Sequence, residues 1–206
     1  MPERPMPAPG DLGLIREPVR TGDEPFHRGT TPLPHTLLDF WRWTGSLLLN
    51  NTSRGNLAEF IVAQALGITQ GVRATWDSFD LLTARGLKIE VKSSAYVQAW
   101  TQKRLCTPTF GIAPAKGWDP DTNVYSEKRR HAHVYVFCLL HHTDQQTIDP
   151  LDLDQWTFYV LPTRMLDEHH PTQKSLGLGT LRRLGAEEVG FAELSGVIGA
   201  FERALT

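Results

Sequence analysis

Two cysteines, Cys106 and Cys138, are all the chain contains, and thirty-one residues separate them in sequence. That is too few for a disulfide framework or a cysteine-built zinc site, and it suits a reducing compartment. No apolar run approaches the roughly 18–20 residues needed to cross a bilayer, so a membrane span is excluded as an expectation. The start of the chain also lacks the apolar core of a secretory signal, so a cytoplasmic location is expected. No Gly-rich phosphate loop appears, so nucleotide-driven chemistry is not expected. Net charge is scarce as well: 21 basic and 23 acidic residues leave −2, and no global field draws the chain to nucleic acid.

What is present is an ordinary globular composition, 40% hydrophobic and 21% charged over 206 residues. Eight of the fourteen prolines lie in the first 34 residues. Residues 1–34 therefore read as a poorly ordered arm or extended strap, and 35–206 as one folded domain. Charge is also unevenly spread. Residues 85–130 carry nine basic against four acidic side chains, whereas 143–206 carry five against ten. A positive stretch of this kind can seat a phosphate backbone without a basic protein around it.

The periodicity predicts a helix from a Thr36 N-cap to about Asn50, apolar on more than one face through Leu37, Leu38, Phe40, Trp41, Trp43 and Leu47–Leu49. It reads as a core helix, or else as a dimer interface rich in Trp and Phe. A second helix over about 56–66 ends at Gly67, with Leu57, Phe60, Ile61 and Ala65 as its apolar stripe. Glu59 falls off that stripe, beside Val62, Ala63 and Leu66, and so needs a partner. Asn51-Thr52-Ser53 reads as a turn. Residues 106–126, with three prolines and two glycines, read as loop. His133–Leu140 and Trp156–Leu161 are strong strand patterns, and short helices near 163–168 and 179–184 precede a terminal helix near 190–204.

The densest chemical signal is Glu90-Val91-Lys92. In Leu87-Lys88-Ile89-Glu90-Val91-Lys92 polar and apolar residues alternate, which marks a half-buried strand with Glu90 and Lys92 on one face. Asp80 sits in a second short run, Phe79-Asp80-Leu81-Leu82. The connector Thr83-Ala84-Arg85-Gly86 suits a hairpin, which would bring Asp80, Glu90 and Lys92 together.

An Asp followed by Glu-x-Lys on the next strand resembles the PD-(D/E)XK nuclease superfamily, over about Arg54 to Trp100. Phe79 stands where the family's name has proline. The resemblance implies an α/β fold with a restriction-endonuclease-like central mixed sheet flanked by helices. It implies a nuclease hydrolysing phosphodiesters, DNA first, in restriction, defence or repair, with Mg²⁺ or Mn²⁺ as cofactor. Asp80 and Glu90 would be direct metal ligands, and the Val91 carbonyl a third. Glu59, on the preceding helix, would hold a second metal or orient a water. Lys92 would not ligate metal but would polarise the attacking water or stabilise charge developing on the phosphate. Gln98, just past the strand, would touch phosphate or water. Tyr96 and Trp100 could stack on bases, although Trp100 reads first as core. A homodimer through the Trp41/Trp43 helix and a separate protein supplying specificity are further expected partners. The alternative reading is a catalytically idle nuclease-like module that binds nucleic acid or protein. Six of the eight histidines cluster in pairs at 131/133, 141/142 and 169/170, yet none has a zinc-motif spacing.

Overall fold

The computed structural model describes residues 15, 17–69, 72–73, 77–119 and 122–205. Its centre is a five-stranded mixed sheet built from β3 (Leu81–Leu82), β4 (Lys88–Ala95), β8 (Val134–Leu140), β9 (Trp156–Pro162) and β11 (Glu187–Val189). The spatial order is β11-β9-β8-β4-β3. Only the β4–β8 pair is parallel, with Glu90 beside Tyr135 and Lys92 beside Phe137. Strands β8 and β9 run antiparallel, as do β9 and β11, and β3 and β4. The fold is thus the mixed α/β sheet with flanking helices that the sequence implies.

Alternation sorts the side chains into two cores, because neighbours along a strand face opposite sides of a sheet. One face carries Ile89, Val91, Val134, Val136, Cys138, Phe158 and Val160. Against it pack α2 (Asn51–Ala65), through Ala58, Ile61 and Val62, and α5 (Phe191–Arg203), through Leu194 and Ile198. The other face buries Tyr135, Phe137, Leu139, Tyr159 and Leu161. It is covered by Leu166 of α3 (Thr163–His169) and Leu181 of α4 (Leu178–Arg183), and by Phe110 of β5 (Thr109–Gly111) and Leu176 of β10 (Ser175–Gly177), which pair with each other.

Several expectations change. Order begins before Pro34: β1 (Pro25–Arg28) and β2 (Thr31–Thr36) form an exposed hairpin within the Pro-rich segment. Residues 1–14 and 16 of that segment lie outside the described residues. The first helix, α1 (Leu37–Gly45), is shorter than expected and buries no residue, so it is not a core helix. A capping box between Thr36 and Asp39 starts it, and Trp43 stands 84% exposed. Helix α2 begins at Asn51, because Asn50 Oδ1 accepts the Ser53 N–H at 2.9 Å; the triplet read as a turn is its first turn. Its buried side is Ala58, Ile61 and Val62, while Phe60 faces solvent. Trp100 is likewise exposed. Finally, the stretch read as loop holds β6 (Ala115–Asp119), paired with β7 (Val124–Arg129) as a separate two-stranded ribbon. Among the described residues no helix is long and apolar enough to cross a membrane.

Candidate active site

The hairpin brings the predicted residues together at the sheet edge. Strand β3 pairs with β4 for only two residues, Leu81 with Ile89 and Leu82 with Lys88, and the Thr83 N–H donates to Leu87 O at 3.0 Å to close the turn. Gly86, at φ +87°, supplies the left-handed residue of the turn. Asp80 precedes β3 in irregular backbone and is held twice. Its N–H donates to Ile89 O at 3.0 Å, and its Oδ2 accepts the Val91 N–H at 2.7 Å. The carboxylate therefore takes the place of a strand beside β4. Backbone alternation aims the Val91 carbonyl at the same edge as the Ile89 carbonyl, towards Asp80.

Glu90 and Lys92 share the face opposite Val91, as the alternation requires. Lys92 Nζ lies 2.5 Å from Glu90 Oε1 and 3.9 Å from Asp80 Oδ2, so one ammonium bridges two carboxylates. The Lys92 side chain is 32% exposed and both acids 18%, well withdrawn from water. Burial, followed by repulsion from Asp80, holds the Glu90 carboxyl above its ordinary range even with Lys92 beside it. Burial alone would lower the Lys92 ammonium; attraction to Glu90, Asp80 and Glu59 outweighs it and raises the group. Tyr135, the cross-strand neighbour of Glu90, is pushed up by burial and by that carboxylate.

Glu59 is 8% exposed on α2, near enough to add to the raising of Glu90. Its own partner is Arg73, which grips the carboxylate with both Nε and Nη2, the latter at 2.8 Å. Both residues line a cleft of about 410 Å³ together with Asp77, Phe79 and Asp80. Sequence reasoning missed Arg73, a lone arginine outside any periodic element. Gln98 is not brought to the carboxylates. Its Nε2 donates to Ala95 O at 2.7 Å, and its Oε1 accepts from Arg54 Nη1 at 3.3 Å, so both ends of the amide are spent on buried structure. A larger cavity of about 550 Å³, lined by Arg130, His133, Thr163 and Asp167, contains none of the predicted site residues.

Among the described residues no three His, Cys, Asp or Glu side chains group as a ready-made metal site. His133 Nδ1 accepts the Lys88 N–H at 3.0 Å, and His141 Nδ1 meets Thr157 Oγ1 at 2.8 Å. The fit for a divalent ion rests on the oxygens at the β4 edge. Two carboxylates share one ammonium, which leaves a unit of negative charge, and the Val91 carbonyl adds a neutral donor. A hard cation that retains water needs no more protein oxygen than this. Its charge would also remove the repulsion that disfavours ionised Glu90.

Comparison with curated proteins gives no match. A family model, bacteriophage T4 endonuclease IV, matches residues 44–176. That stretch is more than half of the chain and spans α2, both strands of the hairpin and β8, hence Glu59, Asp80, Glu90 and Lys92 alike. The edge site and the matched segment coincide, and the chain belongs to the bacteriophage T4 endonuclease IV family, a family of nucleases.

Proposed function

We propose that the protein is a Mg²⁺- or Mn²⁺-dependent deoxyribonuclease of the PD-(D/E)XK type. The observation that carries this reading is Lys92, bridging Glu90 on its own strand and Asp80 across the hairpin at an open sheet edge. Such an edge admits a phosphodiester beside two carboxylates and a cation.

Asp80, Glu90 and the Val91 carbonyl would hold the ion. When bound, a divalent ion neutralises charge at phosphorus and makes a water acidic enough to attack. The chain's own contributions follow from the geometry. Asp80 is locked by two backbone hydrogen bonds, so its oxygens need no reorganisation on binding. Lys92 remains protonated well past neutral pH, and so donates hydrogen bonds and stabilises negative charge on the phosphate; it does not abstract a proton. Glu59, released from Arg73, could orient a water; paired with it, Glu59 holds the guanidinium beside the cleft.

The idle-module reading draws its support from that same Arg73 pair, which satisfies Glu59 without any metal. Plasmid nicking separates the two. The wild-type chain with Mg²⁺ should convert supercoiled DNA to open circles, and Asp80→Asn and Lys92→Ala should each lose about 10²–10³-fold in rate. Undiminished nicking by either variant would overturn the assignment. A wild-type chain that binds DNA and never cuts it would establish the idle module.

A further inference from the structure

The ribbon formed by β6 and β7 stands apart from the central sheet, and its register contains an irregularity. Lys116 pairs with Lys128, and Trp118 with Tyr125. Between these pairs β6 advances two residues and β7 three, so β7 carries one extra residue around Ser126-Glu127. In an unbroken strand, positions 125 and 128 would face opposite sides. The bulge reverses this and puts Lys116, Trp118, Tyr125 and Lys128 on a single face.

The other face is the one that docks. A Cβ on Gly117 would lie 2.8 Å from Ser78 Cβ, so the ribbon backbone rests directly on the segment two residues before Asp80. Ser126 Oγ accepts the Gly117 N–H at 2.9 Å, and His131 Nε2 meets Ala115 O at 3.0 Å, which fastens the root. The lysine–aromatic face therefore points away from this anchor. Directly opposed lysines repel, and strands avoid such pairs unless something offsets them. Among the described residues neither Lys116 nor Lys128 has a carboxylate partner. Tyr125 is 65% exposed, and Trp118 is tied at its indole N–H to Asn123 Oδ1 at 3.0 Å.

We propose that this face is a DNA-docking surface, with backbone phosphates on Lys116 and Lys128 and a base or sugar against Tyr125 and Trp118. The alternation of cationic and flat aromatic groups is what a nucleic-acid strand requires, and a two-stranded ribbon is narrow enough to follow a groove. Fastened at Ser78, it would fix the position of the strand relative to Asp80. This rests on the nuclease reading above.

Fluorescence anisotropy with a labelled oligonucleotide, as a duplex and as its single strand, tests the proposal in chelator so that no cleavage intervenes. Lys116→Ala/Lys128→Ala should lower the slope of log affinity against log salt by about 1.8 for duplex, or about 1.4 for single strand. Tyr125→Ala should weaken binding about five- to a hundredfold with the slope unchanged. Lys174→Ala, a lysine lost from another surface, should leave the slope alone. The double lysine variant removes a repulsion and should unfold no earlier than wild type. Wild-type affinity and slope in that variant, while the wild-type chain cuts DNA, would overturn the ribbon's role alone. A wild-type chain that neither binds nor cuts DNA would overturn the nuclease reading instead.

Discussion

Replacing Lys92 with alanine removes the one ammonium shared by Asp80 and Glu90. Breaking a fully buried ion pair costs about 3–5 kcal/mol, and an exposed pair contributes about 1 kcal/mol or less. With Lys92 32% exposed and both carboxylates 18%, the site lies between these limits but nearer the buried one. A loss of about 2–3 kcal/mol follows, which for a chain of this size lowers the melting temperature by about 5–10 °C. The pH dependence has a definite sign. Glu90 is already held above its ordinary range by burial and by Asp80, and loss of Lys92 raises it further. The native state then binds more protons than the unfolded chain, so the penalty is absent below the ordinary carboxylate range. It grows as pH rises through the native value of Glu90. Urea unfolding followed by circular dichroism should show a larger gap between wild type and variant at about pH 7 than at about pH 5. Equal gaps at the two pH values, or a variant as stable as wild type, would refute the shared-ammonium account.

Three further outcomes are expected. Glu90→Gln should end cleavage yet raise metal-free stability by about 1 kcal/mol, or about 2–4 °C in melting temperature, because the neutral amide escapes the burial and repulsion that disfavour the carboxylate. Added Mg²⁺ should raise the melting temperature of wild type and raise that of Lys92→Ala more, since the variant has more unneutralised charge; differential scanning fluorimetry reads both. Gln98→Ala should cost about 1–2 kcal/mol by removing one of the Arg54 acceptors and the donor to the Ala95 carbonyl, while the cleavage rate per folded molecule stays at the wild-type value.

The strand chemistry was legible because it is local. Alternation over Leu87–Lys92 alone puts Glu90 and Lys92 on one face, and a Gly-ended connector alone returns Asp80 to them. The β-branched and aromatic run Val134–Leu140 is buried at every position, as its composition requires. What failed to show depended on distant partners. The partner of Glu59 is Arg73, fourteen residues away and outside any regular element, so no periodicity announces it. Gln98 follows β4 at a suggestive distance, but the chain turns after Ala95 and takes its amide to Arg54 of α2. The apolar residues of α1 read as core, yet whether a helix is covered depends on what else the chain brings to it. The ribbon was hidden because Pro and Gly signals dominate 106–126, while the pairing depends on a turn with Asn123 at φ +56°.

The parallel pairing of β4 with β8 has a consequence for how the molecule comes into being. Glu59, Asp80, Glu90 and Lys92 all leave the ribosome before Val134–Leu140 does. The strand that bears two of them lacks its inner neighbour until Val134–Leu140 has been synthesised. A loop of nearly forty residues must close before β4 is flanked on that side, which is a slow, non-local step. A chain that stops short of β8 thus carries Asp80, Glu90 and Lys92 without the rigid platform that aligns them. Alignment of Glu90 and Lys92 on a strand paired on both sides therefore waits on the synthesis of Val134–Leu140.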